Sequence, residues 1–309
     1  MDDGALLDST LLGQPLTEPT KAAIARPFWD CRPQATLEYY WKYYQEECTR
    51  ALHDGGRHVA MRTQGDVADC VGKLKSGIRR QDIKEEMRSR LTAAHANEDE
   101  MLDNSIDLAA SLLLMMSFCS YSYGFSGRRW LRWSSHDSLR ASIRPCFESS
   151  AGDLAQERVK LERVFTARNV VMIASLEIVW TDNLLDHLRL ADDDRRVHIF
   201  HHASFLEMQK QSVDTILPQG LGEETLRTLA LLFPSADSQT RKWLLNLPQY
   251  HCLDKRVMQC GRLKTDDRHI DNFRFWRERL ALLKQVFDES QPQSLSSWWH
   301  DRRNGVQCG

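Results

Sequence analysis

No apolar run in this 309-residue sequence reaches the length of a membrane-spanning helix. The nearest candidate, LAASLLLMMSFC over residues 108–119, is about twelve residues long where a span needs about twenty. Asp107 precedes it, and Ser120, Ser122, Arg128 and Arg129 follow, so it reads as a buried core helix. A secretory signal is missing too: the first twenty residues are acidic, with no basic start and no long apolar stretch. The eight cysteines, at 31, 48, 70, 119, 146, 252, 260 and 308, form no C-x-x-C pair and no short disulfide framework. Free, mostly buried thiols in a reducing compartment are expected. The net charge of −2 supplies no general field for nucleic acid, and none is expected as a partner. There is no G-x-G-x-x-G, no Walker A sequence and no repeat of fixed period.

What is present is globular. Hydrophobic residues at 42% and charged residues at 27% fit a packed core in one large domain or two of ordinary size. The nine tryptophans belong mostly in that core, since each buries roughly 150–250 Å².

The periodicity is mostly helical. Residues 1–34, with Pro15, Pro19, Pro27 and Pro33, read as an irregular N-terminal arm. Leu37, Tyr40, Trp41, Tyr44, Cys48 and Leu52 then recur at steps of three and four on one helical face, and Gly55-Gly56 closes that helix. The neighbouring Glu38, Glu46 and Glu47 make this aromatic cluster a core rather than a nucleotide platform. Residues 64–102 are charged and helical, with Met87, Leu91, Ala94 and Met101 facing inward. Residues 120–133 carry a strand or hairpin pattern, and a short helix runs up to Pro145.

In the second half, Leu161, Val164, Phe165 and Arg168 suit a helix. Leu176, Ile178 and Trp180 alternate with Glu177, Val179 and Thr181 as a half-buried strand does. Asp182 suits the cap of a short helix through Leu188, ADDDRR a polar turn, and VHIFHH a second strand. GEETLRTLALLF is a helix stopped by Pro234, and SQTRKWLLNL is the next. In NFRFWRERLALLKQVF, residues Phe273, Trp276, Leu280, Leu283 and Phe287 form a packing seam.

Candidate chemistry fails on spacing. His198, His201, His202 and Glu207 are dense enough to raise a metal question. On a strand, however, His198 and His202 share a face and His201 points away, and no zinc-ligand pattern is matched. Asp192, Asp193 and Asp194 are followed by Arg195 and Arg196, which would neutralise a magnesium site. YGFSG is one residue short of a nucleophile elbow, leaving Ser126 unsupported. No catalytic, cofactor or metal-binding residue is assigned.

The blocks DNSIDLAASLLLMM, GFSGRRWLRW, LEIVWTDNLLDHLRLADDDRRVHIFHHASFLE, LPQGLGEETLRTLALLFP and the stretch from CGRLKTDD to RRNGVQ resemble a family of uncharacterised filamentous-fungal (ascomycete) proteins. The resemblance covers roughly residues 30–307. It implies a mainly helical fold and no particular activity. Typical members continue from a sequence like RRNGVQ into a long apolar segment that reads as a membrane span, whereas this chain has only Cys308-Gly309. The resemblance therefore makes Trp298, Trp299, Arg302 and Arg303 a membrane-proximal flank, in keeping with aromatic and basic residues at a lipid interface.

The expectation is a mainly α (α+β) fold: a helical domain with a small β element, or two packed halves. It divides into an arm at 1–34, a helical half with a hairpin at 35–147, a helical half with short strands at 158–290 and a juxtamembrane-like tail at 291–309. The expected function is a non-enzymatic interaction or scaffold protein with a protein partner or membrane surface, cytoplasmic or peripheral to a membrane. The alternative is an enzyme or accessory factor of a biosynthetic pathway, with its site in an apolar pocket lined by Trp and His.

Overall fold

Apolar residues at steps of three and four dictate helix through most of the chain, and twelve α-helices form among the described residues of the computed structural model. Those residues are 3–12, 15–30, 37–92, 95–118, 129–148 and 159–290. One three-stranded sheet accompanies the helices, so the fold is mainly α with a small β element. The chain divides into two units. The first comprises Met1–Phe147, Asp182–Leu185 and Glu207–Gln219; the second comprises Glu148–Thr181, Asp186–Leu206 and Gly220–Gly309.

The first unit opens with α1 (Asp3–Leu7) and α2 (Glu18–Trp29), where the sequence reading expects an irregular arm. The prolines misdirect that reading. Pro19 sits in the first turn of α2, where its missing N–H would have had no partner anyway, and Thr17 caps that turn by accepting from the Thr20 N–H. Pro27 lies inside the helix near its end, and Asp30 closes it in the left-handed conformation at φ 59°. Pro33 lies outside the described residues.

In α3 (Glu38–Ala51) the expected face is the buried one: Tyr40, Trp41, Tyr44 and Cys48, with Leu37 and Leu52 at its ends. The buried tyrosine hydroxyls find acceptors. Tyr40 donates to the Leu112 carbonyl (2.8 Å), Tyr43 to the Ser111 carbonyl (3.2 Å) and Tyr44 to Gln64 Oε1 (2.6 Å). Both carbonyls stand in the last turn of α6 (Glu98–Leu114); Leu112 is among the last carbonyls of the helix, which lack intrahelical donors, while Ser111 also accepts the Met115 N–H (2.8 Å). The first part of the apolar run, residues 108–114, is helical and mostly buried as expected; Met115 at φ 49° ends the helix, residues 115–118 continue outside it, and Cys119 lies outside the described residues. Among the described residues, no helix is long and apolar enough to cross a membrane.

Between these helices lie α4 (Gln64–Lys75) and α5 (Arg80–Ser89). Of the expected inward points, Met101 is buried, Met87 and Leu91 are half-buried, and Ala94 lies outside the described residues. The buried residues of α5 are instead Ile83 and Arg80. Arg80 is only 2% exposed and donates through Nε to Asp103 Oδ1 (3.1 Å), through Nη1 to Asp107 Oδ1 (2.6 Å) and through Nη2 to the Asp103 carbonyl (3.1 Å). The guanidinium also lies over the Trp133 ring, and Lys84 completes the Asp103 carboxylate at 2.8 Å. Two carboxylates four residues apart share one face of α6, which is what permits an arginine inside the core. The expected hairpin falls largely on residues 119–128, outside those described; at its flanks Phe118 and Leu131 form an isolated parallel bridge. A short helix, α7 (Leu139–Phe147), follows and contains Pro145.

The second unit holds α8 (Ala167–Met172), β1 (Glu177–Thr181), β2 (Leu190–Ala191) and β3 (Arg196–Phe200). β1 runs parallel to β3, with Glu177 opposite Arg196, and β2 runs antiparallel to it, with Leu190 opposite Val197. The polar turn between β2 and β3 places Asp192, Asp193 and Asp194 in succession at φ 53°, 52° and 61°, a left-handed region that aspartate tolerates better than most residues. Arg196 ties the turn down through Asp192 and Glu177, both at 2.7 Å. The expected helix over 161–168 begins only at Ala167. Leu161 instead donates its N–H to the Arg268 carbonyl (2.7 Å), and a turn follows, closed by the Phe165 N–H donating to the Glu162 carbonyl (3.0 Å). The expected capped helix after Asp182 shrinks to one 3₁₀ turn, Leu184–Asp186, with Asn183 Oδ1 accepting the Leu185 N–H.

α9 (Ala203–Gln211) is followed by α10 (Leu221–Leu232), α11 (Ser238–Leu245) and α12 (Arg277–Glu289). Phe273, Trp276, Leu280, Leu283 and Phe287 are all buried, as the seam requires. Phe273 and Trp276 are not on the helix, however. The buried Glu224 carboxylate of α10 accepts the N–H groups of Arg274 (2.8 Å), Phe275 (2.7 Å) and Trp276 (2.9 Å), which holds the lead-in to α12 in bends rather than in a helical turn.

Candidate functional site

The histidines of the cluster have different surroundings. β3 stops at Phe200, so strand alternation never reaches His202, and the expected pairing of His198 with His202 on one face does not form. His201 and His202 follow the strand and stack on each other at 4.1 Å. His198 is half-buried at 3.3 Å from an Arg189 nitrogen, and burial followed by that charge pushes its pKa down. His201 Nδ1 accepts the Asp254 N–H (3.2 Å), and Asp254 accepts from Ser204 N (2.7 Å), Ser204 Oγ (3.0 Å) and Arg256 N (2.9 Å). Serine, histidine and aspartate thus meet, but the serine touches the aspartate and not the histidine. That arrangement caps helices and activates no nucleophile.

A fourth histidine is fully buried. The Phe200 N–H donates to His187 Nδ1 (3.2 Å), so Nε2 carries the proton and donates to Thr228 Oγ1 (2.7 Å). Thr228 in turn donates to the Thr225 carbonyl (2.6 Å). Burial, and then the charge of Arg279, push His187 down to about 3. The unfolded chain holds this histidine near 6.5. Stability from its neutral form is therefore complete above about pH 6.5 and decays as pH falls toward about 3. Between pH 7 and pH 5 the second unit should lose about 2 kcal/mol through this group. Urea unfolding at the two pH values measures the loss. A His187→Asn variant, whose Oδ1 still accepts from Phe200, should show a smaller pH dependence by that amount; an unchanged dependence would sink the assignment.

A cleft of about 570 Å³ in the second unit has a different character. Two chain segments build one side of it. Leu161 N donates to the Arg268 carbonyl and Ile270 N to the Val159 carbonyl (3.0 Å), which brings Arg163 and Arg268 to the same place. α8 adds Arg168, whose Nη1 donates to Asn169 Oδ1 (3.1 Å). The loop from α10 to α11 supplies the other side. Ser235 N donates to the Gly261 carbonyl (3.2 Å), and Gly261 takes φ 104°, a conformation that a side chain would strain, immediately before Arg262.

Among the described residues, four arginines therefore line one concavity with a single acidic residue, Asp237. That carboxylate is already occupied: Oδ1 accepts the Gln239 N–H (3.0 Å) and Oδ2 the Thr240 hydroxyl (2.7 Å), capping α11. Arg268 is 5% exposed, and its Nη1 donates to the Leu161 and Glu162 carbonyls (3.2 and 2.6 Å). Its Nε and Nη2 have no acceptor among the described residues. Arg163 and Arg262 are exposed, and their guanidinium groups make no ion pair or hydrogen bond with a described residue. Burial, followed by the charges of Arg163 and Arg262, pushes Arg268 below the ordinary arginine value. A guanidinium keeps its proton regardless, so the shift reflects burial first and the two neighbouring positive charges second.

Of these, only Arg168 falls on a helical face expected from the sequence; no local pattern marks the other three. Arg163 and Arg262 are far apart in the chain, and nothing local in the sequence brings them together. The expected membrane-proximal residues Trp298, Trp299, Arg302 and Arg303 lie outside the described residues. No protein-family model, curated protein or solved structure matches the chain.

Proposed function

We propose that this chain is a non-catalytic binding protein whose second unit holds a phosphate-class anion in the arginine cleft. The observation that carries the reading is three guanidinium groups, of Arg163, Arg262 and Arg268, gathered without a carboxylate partner. Arginine in this setting offers planar, charge-assisted donors matched to phosphate oxygens. Catalysis finds less support. Among the described residues the lining contains no histidine, cysteine, lysine, tyrosine or glutamate, and Asp237 is spent on a helix cap. The reading narrows the interaction protein expected from sequence to one with an anionic ligand. The cleft is polar and arginine-lined, unlike the Trp- and His-lined apolar pocket of the enzyme alternative. A membrane-proximal setting, implied by the fungal resemblance, fits the same chemistry, because lipid headgroups carry phosphate.

Thermal melting in sodium phosphate against sodium chloride of equal ionic strength tests the reading. A ligand at about 100 times its Kd stabilises the native state by about 2.7 kcal/mol, a shift of several degrees for a unit of this size. The shift should appear for the unaltered chain and vanish in the Arg163→Ala, Arg262→Ala double variant. Both side chains are exposed and unbonded, so the variant should fold. No phosphate-specific shift, or an equal shift in the variant, would overturn the proposal.

A further inference from the structure

We infer that the ligand of the arginine cleft carries two phosphoryl groups, as a diphosphate or a bisphosphorylated small molecule does. The inference rests on the anion-binding reading above and specifies its ligand. Charge balance comes first. Arg163, Arg262 and Arg268 bring three guanidinium charges that no carboxylate among the described residues pairs. One phosphoryl group brings about −1.5 to −2 and leaves positive charge uncompensated, whereas two bring about −3 to −4. Size agrees: about 570 Å³ lies in the range of small-molecule sites, roughly 300–1,000 Å³, and exceeds what one phosphate fills.

Donor geometry separates two places. Arg268 is buried, and its Nη1 is committed to two backbone carbonyls. That leaves the Nε–Nη2 edge, the side of a guanidinium that grips two oxygens of one phosphoryl group. Arg163 and Arg262 stand at the exposed rim, on separate chain segments, with all their donors available to a second group. The inner group is thus held by a fixed fork, and the outer one by two side chains free to close on it.

Calorimetric titration of the full chain, in buffer containing a chelator, compares three probes: inorganic phosphate, pyrophosphate and citrate. Pyrophosphate should bind at least about tenfold tighter than either of the others. An Arg262→Gln variant should lose most of that advantage while still binding phosphate at Arg268. If phosphate binds in an arginine-dependent manner and pyrophosphate binds no tighter, the two-phosphoryl inference fails and the anion-binding reading stands. Citrate binding as tightly as pyrophosphate would overturn it as well, pointing to charge without phosphoryl geometry. If no probe binds, both readings fall. Phosphatidylcholine vesicles with and without phosphatidylinositol bisphosphate distinguish the source of the two groups. Sedimentation with the bisphosphate vesicles, reversed by pyrophosphate, assigns a lipid headgroup; pyrophosphate binding without sedimentation assigns a soluble ligand.

Discussion

Replacing Arg80 with alanine should destabilise the first unit by about 4–5 kcal/mol, near the upper end for breaking a buried ion pair. Three hydrogen bonds and a stacked cation disappear together. The cost arises mostly from what remains. Asp103 keeps Lys84, but Asp107 stays buried with its charged partner removed. Urea unfolding measures the loss, and combining Arg80→Ala with Asp107→Asn should recover part of it. A loss under about 1 kcal/mol would mean that water reaches these carboxylates and that the network is not a core element.

Replacing Trp276 with alanine should cost about 3–5 kcal/mol in the second unit. The indole is 1% exposed, donates from Nε1 to Thr225 Oγ1 (2.9 Å) and meets the His187 ring edge-on at 4.9 Å. Truncation leaves a cavity and removes the donor to a buried hydroxyl. Trp276→Phe should cost less, because it keeps most of the volume and loses mainly the hydrogen bond. Unfolding monitored by circular dichroism would contradict this account if the alanine variant lost less than about 1 kcal/mol.

Legibility followed the range of the interaction that fixed each feature. The buried face of α3 and the stop of α10 at Pro234 could be read because period and breaker are local. The seam residues were correctly read as buried, but the start of their helix was not. Phe273 and Trp276 match helical spacing, while a carboxylate some fifty residues earlier holds them in bends. Proline counting hid α2, since Pro19 favours a helix start in its position. Arg80 reads as a surface charge until α6 presents two aspartates to it. The arginine cleft was the least legible feature of all, because charge clustering across distant segments leaves no periodic trace.

The Glu224 arrangement also bears on the order in which the chain can mature during synthesis. Its carboxylate is completed by N–H groups of residues 274–276, so α10 emerges from the ribosome with its acceptor unmet. The first unit draws on residues up to Gln219, whereas the second waits for the segment ending at Phe287. At roughly 5–20 residues per second, those roughly 70 residues take about 4–14 s. From the completion of α10 until residues 274–276 emerge, the nascent chain carries a helix whose buried carboxylate still awaits its donors, and a chaperone acting on this protein would find its work there.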